Sequence, residues 1–328
     1  MKPTIAITLG DFNGIGPEIA LKAATHPSTR KICTPVLVGP LNIFEHIRES
    51  LKIRVKLEKA LFPCKQHLFL PVADVGDALW ADIRYGSVAK NAGKTAGIAI
   101  EKAVELCMLG KVQALVTAPV SKEAMQLAGY NFPGQTEMIA LLSRSTRVIM
   151  MLISSKMRVG LVTIHAPLRS IADSISTEKI VEKAKTISDS LKKDFRIHEP
   201  RIAILGLNPH AGEHGILGSE EREIIEPAIA EIKKIGINAE GPFPADAFFG
   251  KHSYKSFDAI LAMYHDQGLI PVKMSDFGTT VNFSAGLNVI RTSPGHGTAY
   301  DIAGKAKADI SSMLEAIKLA VTFTQNHD

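Results

Sequence analysis

Short apolar runs that stop on glycine, proline or histidine recur along the chain, and between them apolar residues return every three or four positions. Ile5-Ala6-Ile7-Thr8-Leu9, Val36-Leu37-Val38, Val112 to Val116, Arg201 to Leu205 and Phe257 to Met263 have the length and continuity of buried strands. Helical spacing links Ile43, Phe44, Ile47 and Leu51, then Ile100, Ala103, Val104 and Cys107, then Ile180, Ala184, Ile187 and Leu191. Ser121 is placed to cap a helix, and Gly110 and Gly236 to stop one. Arg147 to Ser154 and Val159 to Ile164 are separated only by Ser155-Lys156-Met157-Arg158, which predicts an antiparallel pair in an otherwise parallel protein. A helix is predicted from about Ser219 to Ile235, and Gly241-Pro242-Phe243-Pro244-Ala245-Asp246 reads as a rigid loop. Strand and helix alternate with no internal repeat, so the predicted class is α/β, doubly wound.

The ends of the strands carry the chemistry. His165 follows Val162-Thr163-Ile164, His210 lies just past Ile202-Ala203-Ile204-Leu205, and His265 comes after Ile260-Leu261-Ala262-Met263. Parallel strands end on one edge of a sheet, so three imidazoles can meet there. Each alone is accounted for by a hydrogen bond at a turn; together they also suit a divalent ion with open positions, although no H-E-x-x-H spacing supports one. Asp246 and Asp266 are candidates for proton transfer or for helix capping. Lys273 and Arg291, with Asn282 between them, suit a phosphate or carboxylate, though either cation alone also reads as a surface charge. Gly10-Asp11-Phe12-Asn13-Gly14-Ile15-Gly16 lacks the G-x-G-x-x-G spacing and the P-loop lysine, whereas Ser293-Pro294-Gly295-His296-Gly297-Thr298 reads as a cofactor loop.

Composition narrows the classes. The 328 residues suit about two domains. The net charge of +5 is spread among 33 acidic residues and aromatics are only 6%, which argues against a nucleic-acid partner. Cys33, Cys64 and Cys107 form no C-x-x-C, so neither a disulfide framework nor a thiolate zinc site is expected. The start goes directly into a strand pattern, and no apolar run approaches the roughly 18 residues of a membrane span. A cytoplasmic protein with no membrane contact is expected.

Five motifs, taken together, resemble the 4-hydroxythreonine-4-phosphate dehydrogenase family of pyridoxal phosphate biosynthesis. They are Gly10-Asp11-x-x-Gly14-Ile15-Gly16-Pro17-Glu18, Thr117-Ala118-Pro119-Val120-Ser121-Lys122, Asn208-Pro209-His210-Ala211-Gly212-Glu213, Gly241-Pro242-Phe243-Pro244-Ala245-Asp246 and Tyr264-His265-Asp266-Gln267-Gly268. The tail from His296 to Gly304 is similar to the cofactor loop of isocitrate and isopropylmalate dehydrogenases. The resemblance implies two α/β/α domains of that type with the active site in the interdomain cleft. Residues 1–130 with 275–328 would form one domain; 131–274 would form the other, carrying the metal histidines and much of a homodimer interface.

By the same resemblance, His165, His210 and His265 ligate one divalent ion per site (zinc, magnesium or cobalt) and are contributed from both subunits of a homodimer, so that a monomer would lack a complete site. Gln135, Thr136, Lys273, Asn282 and Arg291 bind substrate, Asp246 and Asp266 act in catalysis, and His296, Gly297, Thr298 and Asp301 bind NAD or NADP. The implied reaction is oxidation and decarboxylation of 4-phosphooxy-L-threonine to 3-amino-2-oxopropyl phosphate. Gln135 stands where the family usually has histidine, and Phe12-Asn13 where Pro-Ala is commoner. A relative acting on another phosphorylated hydroxy acid, such as 4-phospho-D-erythronate, or on a cyclic dihydrodiol is therefore the nearest alternative. A metal-dependent hydrolase or lyase is the more distant one.

Overall fold

Buried strands and amphipathic helices build two units in the computed structural model, which describes residues 2–64, 69–76 and 82–327. One unit comprises Met1–Ser145 with Leu287–Asn326, the other Thr146–Gly286. The chain changes unit later than the expected 130 and 275. The helix Gln135–Leu142 stays with the first unit, and the strand Val281–Ala285 stays with the second.

In the first unit lie β1 (Thr4–Thr8), β2 (Thr34–Val38), β3 (Leu57–Lys59), β4 (Leu70–Ala73) and β5 (Ala114–Val116); the second holds β6 (Ile149–Ile153), β7 (Arg158–Leu161), β8 (Arg201–Leu205), β9 (Asn238–Phe243), β10 (Ala259–Ala262) and β11 (Val281–Ala285); β12 (Ile290–Pro294) returns to the first. The first unit's strands run β3-β4-β2-β1-β5-β12, each pair parallel. β1, β2 and β5 are buried throughout, which is why their sequences are unbroken apolar runs rather than alternating ones.

The second unit's order is β11-β6-β7-β10-β8-β9. The expected antiparallel pair is present, Leu152 opposite Val159, and β11 is antiparallel to β6; the other neighbours are parallel. On one side of this sheet the helix Thr177–Lys193, capped by Ser176, buries Ile180, Ala184, Ile187 and Leu191 completely. A second core joins Leu152, Val159, Leu161, Ala203, Leu205 and Ile260 of the strands to Phe248, Leu269 and Val272.

Two expectations change. Gly241-Pro242-Phe243 belongs to β9, and Ala245 opens a helix. β9 has one strand neighbour within its unit, and a proline on such an edge sacrifices no ladder bond. The helix expected near 219–235 opens as a π turn, Glu221–Ile225, before the α-helix Glu226–Lys234.

A small-residue face fixes the helix Lys90–Met108. A methyl group on Gly93 would penetrate Ala124 O, and one on Gly97 would enter the Tyr130 ring. Gly93→Ala is therefore expected to destabilise the protein by about 1–3 kcal/mol through overpacking. Gly250→Ala, with open space around it, should change stability little. Urea unfolding of both variants checks this, and equal midpoints would contradict the close approach.

Candidate active site

β10 lies between β7 and β8, all parallel, so the chain segments leaving these three strands emerge at one edge. His165 follows β7, His265 follows β10 and His210 follows β8. The β7–β10 pairing continues past the strands: Val162 N donates to Ala262 O at 2.9 Å, and Thr163 donates through N and Oγ1 to Met263 O at 3.2 and 2.7 Å. That ladder holds the His165 and His265 rings 6.1 Å apart between centroids, tilted by 36°. Gly268 lets the helix His265–Ser275 approach the sheet, since a Cβ there would lie 2.8 Å from Leu161 and Val159 side chains.

His265 Nδ1 lies 2.7 Å from Asp266 Oδ1. With an ionised carboxylate as acceptor, Nδ1 carries the proton and Nε2 presents its lone pair, the arrangement that outer carboxylates impose on metal-binding imidazoles. His210 is held differently. Leu207 N and Asn208 N each donate to buried Glu221 Oε1 at 2.7 Å, and Asn208 Nδ2 donates to Glu221 Oε2 at 2.9 Å. The next residues enter a left-handed turn: His210, Ala211, Glu213 and His214 have φ of 52°, 51°, 42° and 56°. Asp246 opens the helix after β9, the neighbour of β8, and is exposed. Among the described residues, no three His, Cys, Asp or Glu side chains gather closely enough to hold a metal ion.

Lys273 and Asn282 stand apart from this edge. Lys273 is eight residues beyond His265 on one helix, about 12 Å along its axis. Asn282 pairs with Leu152, which pairs with Val159 near the start of β7. Its Oδ1 is buried without a hydrogen-bond partner.

In the first unit, Arg291 is 2% exposed and donates through Nε and Nη2 to Thr117 Oγ1 at 3.0 and 2.8 Å, and through Nη1 to Thr136 Oγ1 at 3.4 Å. Burial lowers its pKa to about 10, opposed by Glu137, so the guanidinium remains charged at neutral pH. Gln135 Nε2 donates to Ala118 O at 3.3 Å, leaving Oε1 buried and unpartnered. Gln135, Thr136 and Arg291 are thus brought together.

The family model for pyridoxal phosphate biosynthetic protein PdxA matches residues 31–320. The chain belongs to this family. It is 42% identical to a 4-hydroxythreonine-4-phosphate dehydrogenase of Desulforapulum autotrophicum, over 97% of this chain and 95% of the relative. The crystal structure of 4-hydroxythreonine-4-phosphate dehydrogenase from Klebsiella pneumoniae aligns with a TM-score of 0.87 at 37% identity, covering 99% of each chain. A terephthalate 1,2-cis-dihydrodiol dehydrogenase from Burkholderia xenovorans aligns at 0.67 and 30%, covering 98% of each. An isocitrate dehydrogenase from Methylococcus capsulatus, 14% identical with a TM-score of 0.53 over 100% of this chain and 87% of that one, shares the fold alone. The α/β fold class and the assignment as an oxidoreductase hold.

Within this PdxA-family chain, His165 and His265 offer two neighbouring imidazoles, and an ion held by three histidines would need a further donor from outside this pair. The loop His296–Asp301 lies just past β12, with Gly297 exposed. The loop is seated on the glycine-rich turn. Ile15 N donates to Thr298 O at 2.9 Å, and a Cβ on Gly14 would lie 2.7 Å from that oxygen. Tyr300 Oη donates to Asp11 Oδ2 at 2.7 Å, while Asp11 Oδ1 accepts from Asn13 N at 2.8 Å. Neither Tyr300 nor Asp11 stood out as part of this loop's support in the sequence, because their partnership spans almost the whole chain. Gln267 entered the sequence reading only as a member of its motif and Glu221 not at all, since each bonds to backbone groups that no side-chain pattern marks.

Burial raises the Asp11 carboxyl pKa above its usual 3.8, despite the opposing Tyr300 and backbone hydrogen bonds. The folded state then holds this proton more tightly than the unfolded one, so the contribution to stability is present below pH 3.8 and lost as pH rises through the folded value. Relative to wild type, Asp11→Asn is expected to gain stability across that window. Urea unfolding from acid to neutral pH measures it, and a pH-independent difference would contradict the burial cost.

Proposed function

We propose that the protein catalyses NAD-dependent, divalent-metal-dependent oxidation and decarboxylation of 4-phosphooxy-L-threonine to 3-amino-2-oxopropyl phosphate, in pyridoxal 5'-phosphate biosynthesis. The observation that carries this reading is the strand order β7-β10-β8, which brings the segments bearing His165, His265 and His210 to one edge in a chain related over its length to dehydrogenases named for that substrate. When bound, a divalent ion supplies Lewis acidity and a nicotinamide supplies the hydride acceptor. His165, His210 and His265 would hold the ion; His296, Gly297, Thr298 and Asp301 would hold the dinucleotide.

The chain's own groups manage anions and protons. Buried Arg291, with Thr136 beside it, binds phosphate or carboxylate, and Lys273 adds a point charge. Asp266 or Asp246 takes the alcohol proton as the carbon-bound hydrogen leaves as hydride, forming the ketone. The β-keto acid then loses carbon dioxide; the electron pair of the broken carbon–carbon bond forms the enolate, which takes one proton at carbon to give the ketone. Asn282 orients the substrate through its unpartnered Oδ1.

A homodimer with shared sites fits the distribution of these groups. Lys273 and Asn282 lie away from the histidine edge of their own unit, and the same helix and the residues after it expose Ile270, Met274 and Phe277 by 54%, 83% and 74%. Ile270 and Met274, four residues apart, share one face of the helix, and with Phe277 just past its end they are exposed apolar side chains that a second copy would cover.

Gln135 supports a second reading. Its unpartnered Oε1 is an acceptor, so it suits a substrate hydroxyl or ammonium better than an unprotonated phosphate oxygen. The hydroxyl or ammonium of 4-phosphooxy-L-threonine would meet that demand, and so would a hydroxyl of another hydroxy acid, such as 4-phospho-D-erythronate, or of a cyclic cis-dihydrodiol, so the neutral amide keeps these substrates open.

NAD reduction by the purified protein with added divalent metal separates the readings, with 4-phosphooxy-L-threonine, 4-phospho-D-erythronate and a cis-dihydrodiol tested in parallel. Turnover of the first is expected, with loss on chelation, recovery on metal return, and a fall of more than about 100-fold for His265→Ala. Turnover of only one of the others would replace the substrate assignment while keeping the hydride chemistry. Metal-independent turnover would overturn the role of the histidines.

A further inference from the structure

Arg291 and Thr117 meet because β5 and β12 are parallel neighbours. The ladder sets Arg291 beside Leu115 and Thr292 beside Val116, and Thr117 N continues it, donating to Thr292 O at 3.0 Å. Side chains of paired residues share a face of a sheet, and so do residues two apart on one strand. Arg291, Leu115 and Thr117 therefore lie on one face. Thr292 turns to the other, where its Oγ1 donates to Ala316 O of the helix Ser311–His327 at 2.8 Å.

The hydroxyl at 117 is a fixed point. Thr117 is fully buried, and the backbone that follows it is tied at successive groups. Ala118 N donates to Thr8 Oγ1 at 3.2 Å, Ala118 O accepts from Gln135 Nε2 at 3.3 Å, and Pro119 O accepts from Asp11 N at 2.9 Å. Against this frame, Thr117 Oγ1 takes two hydrogen bonds from one guanidinium, from Nε at 3.0 Å and from Nη2 at 2.8 Å. Donors on two different nitrogens converging on one oxygen fix the plane of the group as well as its place. The hydroxyl is neutral, so it does this without cancelling the positive charge. An aspartate here would hold the guanidinium as an ion pair and use that charge up.

We propose that Thr117 is a positioning residue for oxyanion recognition, its hydroxyl orienting the Arg291 guanidinium for the phosphate or carboxylate of the substrate. The inference rests on the reading of Arg291 as the anion receptor. It does not depend on the metal, because Thr117, Arg291 and Thr136 all belong to the first unit.

The test titrates the purified full-length protein with inorganic phosphate and with malonate by calorimetry, beside its thermal midpoint and the kcat and KM of whichever acid it oxidises. Thr117→Val keeps the side chain's shape and removes the oxygen, Thr117→Ala is a second hydroxyl-free variant, and Thr117→Ser keeps the oxygen. The hydroxyl-free variants are expected to fold, to bind the anion about 10-fold more weakly than wild type, and to raise KM by a similar factor with kcat within about threefold. Thr117→Ser is expected to stay close to wild type. Wild-type anion affinity in a folded hydroxyl-free variant would overturn the inference and leave the role of Arg291 standing. Equal loss of affinity in Thr117→Ser, or failure of both hydroxyl-free variants to fold, would make Thr117 a packing residue and overturn it too. Arg291→Lys keeps the charge and loses the planar fork, and it is expected to weaken the anion at least as much. If it does not, or if the wild-type protein binds neither anion, the anion reading of Arg291 is removed and this inference with it.

Discussion

The second unit depends on one constraint of parallel sheets: neighbouring strands deliver their trailing chain segments to the same edge. In the order β7-β10-β8, three adjacent strands are followed by His165, His265 and His210. Bonds from Val162 and Thr163 to β10 continue that pairing past the first two strands' ends, while Gln267 bonds to Gly206 O just past β8. The glycine at 268 belongs to the same region, because a Cβ there would crowd the Leu161 and Val159 side chains of β7. Sequence, packing and chemistry converge on this edge.

Buried polar groups show where the protein is self-sufficient and where it is prepared for something else. Asp11 is met by Tyr300 and by backbone amides, and Glu221 by three donors, so these carboxylates work inside the fold. The amide oxygens of Gln135 and Asn282 are buried without a partner. Leaving such an acceptor unsatisfied costs about 1–3 kcal/mol, a cost that a bound ligand offering a donor would remove. Both residues stand at positions the family resemblance assigns to substrate. The neutral amide at Gln135 is the point at which this chain departs from its family's usual chemistry.

Much of the fold was legible in hydrophobic period. The antiparallel β6–β7 pair followed from two apolar runs joined by four residues, and the buried face of Thr177–Lys193 from the spacing of Ile180, Ala184, Ile187 and Leu191. The segment 241–246 misled because proline and glycine signal a loop wherever they occur. Only the position of β9, with β8 as its one strand neighbour in the unit, makes a strand proline harmless there.

Local pattern, set by side-chain period and turn chemistry, determined that histidines 165, 210 and 265 would each follow a buried strand. It could not determine strand order, because order depends on pairing between segments up to a hundred residues apart, such as Ile260 with Val159. Tertiary structure alone decided that these three strands are neighbours, that Lys273 and Asn282 lie away from their histidine edge, and that Tyr300 reaches Asp11. These outcomes turn on hydrogen bonds whose partners meet only when the sheets form, so no window along the chain contains them.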